Sequence, residues 1–224
     1  MKAPRLETDR LILRAAEPHD IDASAAMWGS EDVTRFIGGK PRSRQDAWFG
    51  LLRGIGLWEM KGFGYWVVTD KVSGAYLGEA GFADFERGLP KELIWGPEAG
   101  WAFGPQAWGK GYATEAVRAI HDWLDTTDFT SSCCVIEPDN SGSRRVAEKL
   151  GYQHTGETLL GGVKEVCLFG RLNALGHGLE AQGFCHRQNH LDNRRGLTIG
   201  LQRRHELPVD LEHIEWQLRQ RRKV

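Results

Sequence analysis

Long hydrophobic runs are missing from this chain of 224 residues, so nothing in it reads as a transmembrane helix. An apolar segment behind a basic N-terminus is missing too, so no secretory signal is expected and the cytoplasm is the expected location. Net charge is nearly absent: 29 Lys plus Arg against 30 Asp plus Glu leave −1. That balance argues against a protein built mainly to coat nucleic acid or an anionic membrane. Cysteine is sparse. Cys133, Cys134, Cys167 and Cys185 show no CxxC spacing, and the adjacent pair would point to opposite faces of a strand. Reduced, buried thiols are expected, with no disulfide and no metal site. The dinucleotide fingerprint GxGxxG does not occur, nor does GxxxxGK followed by Ser or Thr. No internal repeat is present. The length suits one full domain with a small addition.

What the chain does have is the stretch Trp108-Gly109-Lys110-Gly111-Tyr112-Ala113-Thr114-Glu115-Ala116. Upstream, Glu98 to Phe103 is short and mostly apolar and is stopped by Gly104-Pro105, so it reads as a strand. Downstream, Ala113, Ala116, Val117, Ile120, Trp123 and Leu124 recur at steps of three and four, the stripe of an amphipathic helix. The glycines therefore lie between a strand end and a helix N-terminus, where backbone N–H groups have no helical partner and the dipole is positive. That combination suits an anion, and two glycines let the backbone approach a phosphate closely.

The run resembles the acyl-CoA pyrophosphate loop of the GNAT N-acetyltransferases, with Trp108 standing where that family carries Gln or Arg. With Trp there, "WGKGYATEA" is similar to the branch that contains the ribosomal-protein alanine and spermidine acetyltransferases. "LETDRLILR" at the N-terminus looks like the first strand of the same branch. The resemblance implies acetyl-CoA as cosubstrate, a primary amine as acceptor, and either a monomer or a homodimer. It also implies a three-layer α/β/α fold whose mixed, mostly antiparallel sheet splays at the acyl-CoA site. Trp101, Ala102 and Phe103 would lie along the pantetheine arm, and Trp108, Gly109, Lys110, Gly111, Tyr112, Ala113 and Thr114 would cradle the pyrophosphate. Small residues at Gly100 and Ala102 suit a close approach by the arm.

Further landmarks fall in order along the chain. A helix is expected after Pro18-His19-Asp20 through about Trp28. A second begins at Ser43, with Asp46 completing an approximate capping box and Trp48, Leu51, Leu52, Ile55 and Trp58 as its apolar face. In the family two such helices wall the acceptor site, which makes Trp28, Phe36, Trp48 and Trp58 lining candidates; each equally reads as core. Strands over 64–69 and 75–82 should pair as a hairpin through Asp70 to Gly74. Glu79 interrupts the second of them. Facing a dry pocket it would have a raised pKa and a catalytic use; facing solvent it would have neither.

Glu98 heads the strand that feeds the loop. Amine acetylation needs a base, because a protonated amine has no lone pair with which to attack a thioester. The resemblance puts a general base at this position, acting directly or through water; bonding to a neighbouring loop is the other reading. "NSGSRRVAEKLGY" is similar to a second family landmark, which implies contacts to CoA from Asn140, Ser143 and Arg144. There Asn140 would cap a helix. The aromatic after Gly151 implies a proton donor for the departing thiolate at Tyr152, with packing as its alternative role.

Strands near 152–158 and 164–171 complete the pattern, giving a domain over 1–171. Residues 172–224 hold nine Lys plus Arg and six acids, a formal +3 that leaves −4 for the domain. This basic, His-containing extension has no place in the resemblance, and it reads as partly helical or disordered. Two other functions stay open: an acyl-CoA-binding regulator without turnover, and a nucleic-acid binder acting through the extension.

Overall fold

A computed structural model describes residues 2–89, 93 and 96–172. The expectations for the basic extension and for Cys185 fall outside the described residues, except that Leu172 closes the last strand.

Eight strands form one sheet: β1 (Leu6–Glu7), β2 (Leu11–Arg14), β3 (Tyr65–Asp70), β4 (Tyr76–Ala83), β5 (Glu98–Phe103), β6 (Ser131–Ile136), β7 (Gln153–Leu160) and β8 (Lys164–Leu172). Their spatial order is β1-β2-β3-β4-β5-β6-β8-β7. Only β5 and β6 run parallel; the other neighbours are antiparallel. Helices α1 (Ile21–Trp28), α2 (Glu31–Thr34) and α3 (Arg44–Lys61) precede β3, α4 (Tyr112–Leu124) joins β5 to β6, and α5 (Ser141–Lys149) follows β6. The helices α1 and α3 lie against β4 and β3, and α4 against β2, β4 and β5, so the layers are α/β/α.

The local reasons are those in the chain. Asp70 Oδ1 accepts the backbone N–H groups of Val72 and Ser73, which closes the β3–β4 hairpin as an Asx turn. Ser43 and Asp46 form a full capping box at the head of α3. On α4, Ala116, Val117, Ile120 and Leu124 are buried at helical spacing against Leu11, Trp66 and Phe82 of the sheet.

The helix α3 departs from its expected face. It buries Ala47, Leu51, Gly54 and Trp58, while Trp48, Leu52 and Ile55 stand out in solvent. The buried row steps by three and four from Ala47 rather than from Trp48, and a Cβ at Gly54 in that row would meet Tyr65 Cβ of β3 at 3.6 Å, an ordinary contact. Trp58 goes to the core, edge-on to Trp66 at 4.5 Å. Of the four aromatics expected along the acceptor wall, Trp28 and Phe36 line the cleft described below; Trp48 and Trp58 are not among its lining residues.

Candidate active site

The sheet opens between β5 and β6. Their ladder has a single register pair, Glu98 with Cys133, supported by Cys133 N–H to the Pro97 carbonyl at 3.1 Å. Beyond that pair the strands separate, and a cleft of about 460 Å³ runs along Ala99 to Ala102 on one side and Cys134 to Ile136 on the other. Backbone groups of β5 that a neighbouring strand would have paired are thus turned toward the cleft.

At the C-terminal end of β5 the chain makes a 3-10 turn over Pro105–Ala107 and enters α4 through Trp108 to Gly111. Gly109 and Gly111 have φ of 71° and 79°, the left-handed region that glycine adopts without cost. The Trp108 indole N–H donates to the Phe103 carbonyl at 2.7 Å, folding the loop back onto the strand. Trp108 therefore braces the loop in the place where a longer polar side chain was the family expectation. The first backbone N–H groups of α4, from Tyr112 to Thr114, point out of the helix end, and Glu115 N–H makes the first intrahelical bond, to the Gly111 carbonyl.

A brace not anticipated from the sequence holds this loop. Glu115 accepts from the Thr8 hydroxyl at 2.6 Å and from Arg10 Nε at 2.7 Å, and Arg10 Nη1 donates to the Lys110 carbonyl at 2.9 Å. Burial works against ionisation of Glu115, but Thr8 and Arg10 together hold its carboxyl below the usual range. The signal was present: Thr8 and Arg10 lie in the "LETDR" run. Their partner, however, is more than a hundred residues away.

At the other end of β5, Glu98 is largely buried and paired with Arg87. Burial pushes its carboxyl up, and the hydrogen bond and charge of Arg87 only partly offset this. Phe85, Arg87 and Glu98 also line a second cleft of about 450 Å³ on the side of Phe63 and Phe129. Glu79, Gly81 and Ala83 pair with Ala102, Gly100 and Glu98, so both carboxylates face the α1–α3 side. Between them Tyr65 crosses the floor. A Cβ at Gly100 would lie 2.2 Å from the Tyr65 hydroxyl. Burial raises the Tyr65 phenol, so it stays protonated at neutral pH.

Glu79 lines the cleft with one carboxylate oxygen held by three donors. Its Oε1 accepts from the Tyr76 hydroxyl at 2.6 Å, the Ser24 hydroxyl at 2.8 Å and the Trp28 indole at 3.3 Å. In register it lies four positions along β5 from Glu98, about 13 Å at ~3.3 Å per residue, so the two carboxylates do not serve one atom.

On α5, Asn140 caps the helix by accepting Ser143 N–H at 3.0 Å, and Asn140 and Ser143 both line the cleft. Arg144 donates to the Pro138 carbonyl at 3.4 Å from the exposed side of the same turn. Trp101 and Ala102 line the cleft as well; Phe103 is packed in the main core.

Tyr152 is packed in the core. Its hydroxyl lies beneath the sheet, 2.8 Å from His121 Nε2 and 3.0 Å from Ser132 Oγ, and the residue is 4% exposed and not among those lining the cleft. His121 Nδ1 donates to the Val117 carbonyl at 2.7 Å, which leaves Nε2 as the acceptor for the Tyr152 hydroxyl. The sequence could not reveal this, because His121 and Ser132 are buried polar partners from two other elements. The cysteines behave as expected in being buried thiols at Cys133, Cys134 and Cys167. His154, Glu157 and Cys167 bring one ligand atom each within 4.8 Å of one another, the group among the described residues best placed to hold a metal; none of the three lines the cleft.

A mixed sheet that opens beside a glycine loop and a helix N-terminus is the arrangement the acetyltransferase resemblance implies. The chain belongs to the GNAT family: the acetyltransferase (GNAT) domain matches residues 10–153. It is 31% identical over 159 residues to YkkB of Bacillus subtilis, covering 67% of this chain and 86% of that one. A Bordetella pertussis structure described as a GNAT-family acetyltransferase superposes with a TM-score of 0.66 at 30% identity, over 75% of this chain and 99% of that one. The spermidine N-acetyltransferase of Vibrio cholerae, solved with CoA and spermine, shares the fold at a TM-score of 0.60 and 16% identity, over 75% and 98% of the two chains. Among the described residues no helix is long and apolar enough to cross a membrane.

Proposed function

We propose that this acetyltransferase moves an acetyl group from acetyl-CoA to a primary amine by direct attack. The observation that carries the reading is Glu98: a buried carboxyl with a raised pKa, at the head of the strand whose free edge lines the cleft. Burial makes this carboxylate a stronger base than one in water, and Glu98, directly or through water, takes the proton from the incoming ammonium.

The backbone along Trp101 to Phe103 receives the pantetheine arm as if it were an added strand. The loop from Trp108 to Thr114 takes the pyrophosphate on backbone N–H groups, with Lys110 adding charge. Asn140, Ser143 and Arg144 border the arm from α5. Glu79 holds the acceptor wall together through Tyr76, Ser24 and Trp28. Tyr152 has no part in this reading, since His121 and Ser132 occupy its hydroxyl. Burial pushes the Cys134 thiol well up, which makes it a poor nucleophile and supports direct transfer over an acyl-cysteine intermediate.

The test is a screen of amines with acetyl-CoA that reads release of the free CoA thiol. Turnover with initial rates that require both substrates together is expected, with Glu98→Gln slowing it by about 10²–10⁴-fold. An acetylated enzyme that passes its acetyl group to an amine would overturn direct attack. CoA binding without turnover of any amine would leave a regulatory binder instead.

A further inference from the structure

The charges that line the cleft do not cancel at its acceptor end. Arg87 is bonded to Glu98, and Lys164 lies 2.5 Å from Glu137, so those four neutralise one another in pairs. What remains is Arg42 and Arg53 facing one carboxylate, Glu79. Neither arginine has a carboxylate within 4.0 Å among the described residues.

Arg42 is held firmly in this position. Its backbone N–H donates to the Trp28 carbonyl at 2.9 Å, and its guanidinium lies 3.8 Å over the Trp28 ring. The edge of the same indole donates to Glu79, whose Oε1 is already shared with Tyr76 and Ser24. Burial pushes the Arg42 guanidinium down and the charge of Arg53 adds to this, while Glu79 opposes both. Arg53 stands beside it, 5.7 Å over the Phe85 ring. A half-buried guanidinium without a carboxylate partner is unfavourable in the free protein, and it offers a planar, two-pronged donor to any carboxylate that arrives.

We infer that the acceptor is an amine that carries its own carboxylate, a free amino acid, whose carboxylate is received by Arg42 and Arg53 while its amine is turned toward Glu98. The inference rests on the reading of this site as an amine acetyltransferase. A polyamine would bring two or more cations to an end of the cleft with an excess of positive charge, and the like charges would repel. The cleft, at about 460 Å³, must also admit the thioester arm, which suits an acceptor of amino-acid size.

The experiment uses the full-length protein with acetyl-CoA and reads thiol release with three series. The first is free α-amino acids beside their amides and decarboxylated amines, such as phenylalanine, phenylalaninamide and phenethylamine. The second is ω-amino acids of increasing chain length, which read the spacing between amine and carboxylate. The third is spermidine. A carboxylate-bearing amine is expected to have the highest kcat/KM, by tenfold or more over its carboxylate-free partners. Arg42→Gln and Arg53→Gln are each expected to raise its KM by about 10–100-fold, as loss of a charge-assisted bond does, and to collapse the preference ratio. Arg42→Lys, which keeps the charge without the fork, should restore part of it. Calorimetric titration of the same amino acid into the CoA complex supplies a reading independent of turnover, and melting curves confirm that each variant is folded.

Equal or better use of carboxylate-free amines or spermidine overturns the inference and leaves the acetyltransferase reading standing. A preference that survives both glutamine variants overturns it as well. No turnover of any amine by a protein that binds acetyl-CoA removes both together.

Discussion

Arg10 reaches the head of α4 from the far end of the chain: its backbone N–H donates to Glu115 Oε1 at 3.0 Å and its Nε to Glu115 Oε2 at 2.7 Å. The same guanidinium lies 4.6 Å over the Tyr112 ring and donates to the Lys110 carbonyl. One residue of the loop and two of the helix are therefore positioned by a side chain that precedes the first full-length strand. On the functional reading, the loop's backbone N–H groups are useful only if they converge before the phosphate arrives, and Arg10 supplies that order.

Replacing Arg10 with Gln should weaken CoA binding by roughly three- to tenfold, the scale of a partly exposed ion pair and its attached hydrogen bonds. Glu115→Gln should do the same, and the double variant should be less than additive because each removes the same brace. Calorimetric titration with CoA checks this. Affinities equal to wild type would mean that the loop holds its shape without the brace.

The pH dependence of catalysis should report Glu98. Because burial raises its carboxyl, the acid limb of kcat/KM is expected to lie above the ordinary carboxylate range. Arg87 pulls the pKa down, so Arg87→Gln should move that limb to higher pH, whereas Glu98→Gln should abolish it. A limb that stays in place when Arg87 is removed would dissociate it from Glu98.

Much of this fold was legible because its signals are local. The Ser43–Asp46 capping box, the Asp70 turn, the α4 stripe and the strand–glycine–helix passage are each written within a dozen residues, and the structure realises them. The site was legible in part. Glu98, Asn140 and Ser143 come to one cleft, as their places at element ends implied. What could not be read depends on partners distant in sequence. Glu79 is a carboxylate in a strand until Ser24, Trp28 and Tyr76 converge on it, and Tyr152 is an ordinary aromatic until His121 and Ser132 take its hydroxyl. The face of α3 differs from the expectation for a related reason: two offset rows of the helix carry apolar residues, and spacing alone does not say which of them goes inward.

His121 makes folding pH-dependent. Burial lowers its pKa from 6.5 to about 4 in the folded protein, so the folded state holds the imidazole neutral while the unfolded chain protonates near 6.5. The unfolded state therefore binds more protons between those values, and stability present above pH 6.5 is lost as pH falls toward 4. The loss is on the order of 3 kcal/mol for this group. Urea unfolding of wild type and His121→Gln at pH 7 and pH 5 should show a smaller pH difference in the variant. Identical differences would assign the effect to other groups.

Tyr152→Phe should separate packing from catalysis. It removes one partner from His121 Nε2 and from Ser132 Oγ, which lie 3.4 Å apart and can bond each other instead, so about 1 kcal/mol of stability should be lost. Because Tyr152 is buried and absent from the cleft lining, kcat should stay within about twofold of wild type at a temperature where the variant is folded. A fall of a hundredfold or more in kcat would restore Tyr152 as a proton donor.

The loop itself offers the most direct test of CoA binding, through Gly109. Its φ of 71° makes most side chains costly there, about 1–2 kcal/mol, so a branched residue would confuse strain with obstruction. Asparagine tolerates the left-handed region, and a Cβ at Gly109 meets no atom of the described residues within 4 Å. Gly109→Asn should therefore melt close to wild type. On the proposed function, though, the same side chain stands where phosphate oxygens must approach the backbone. Losing two or three charge-assisted N–H contacts, at about 1.5–3 kcal/mol each and far from additive, should still lower CoA affinity a hundredfold or more. Gly111→Val, with Arg10 Nη2 only 3.5 Å from its Cβ, should lose both stability and affinity. The pair distinguishes the two causes: affinity lost in Gly109→Asn without loss of melting temperature assigns the loop to the ligand. An asparagine variant that binds CoA as wild type does would show that the glycine serves only the turn into α4.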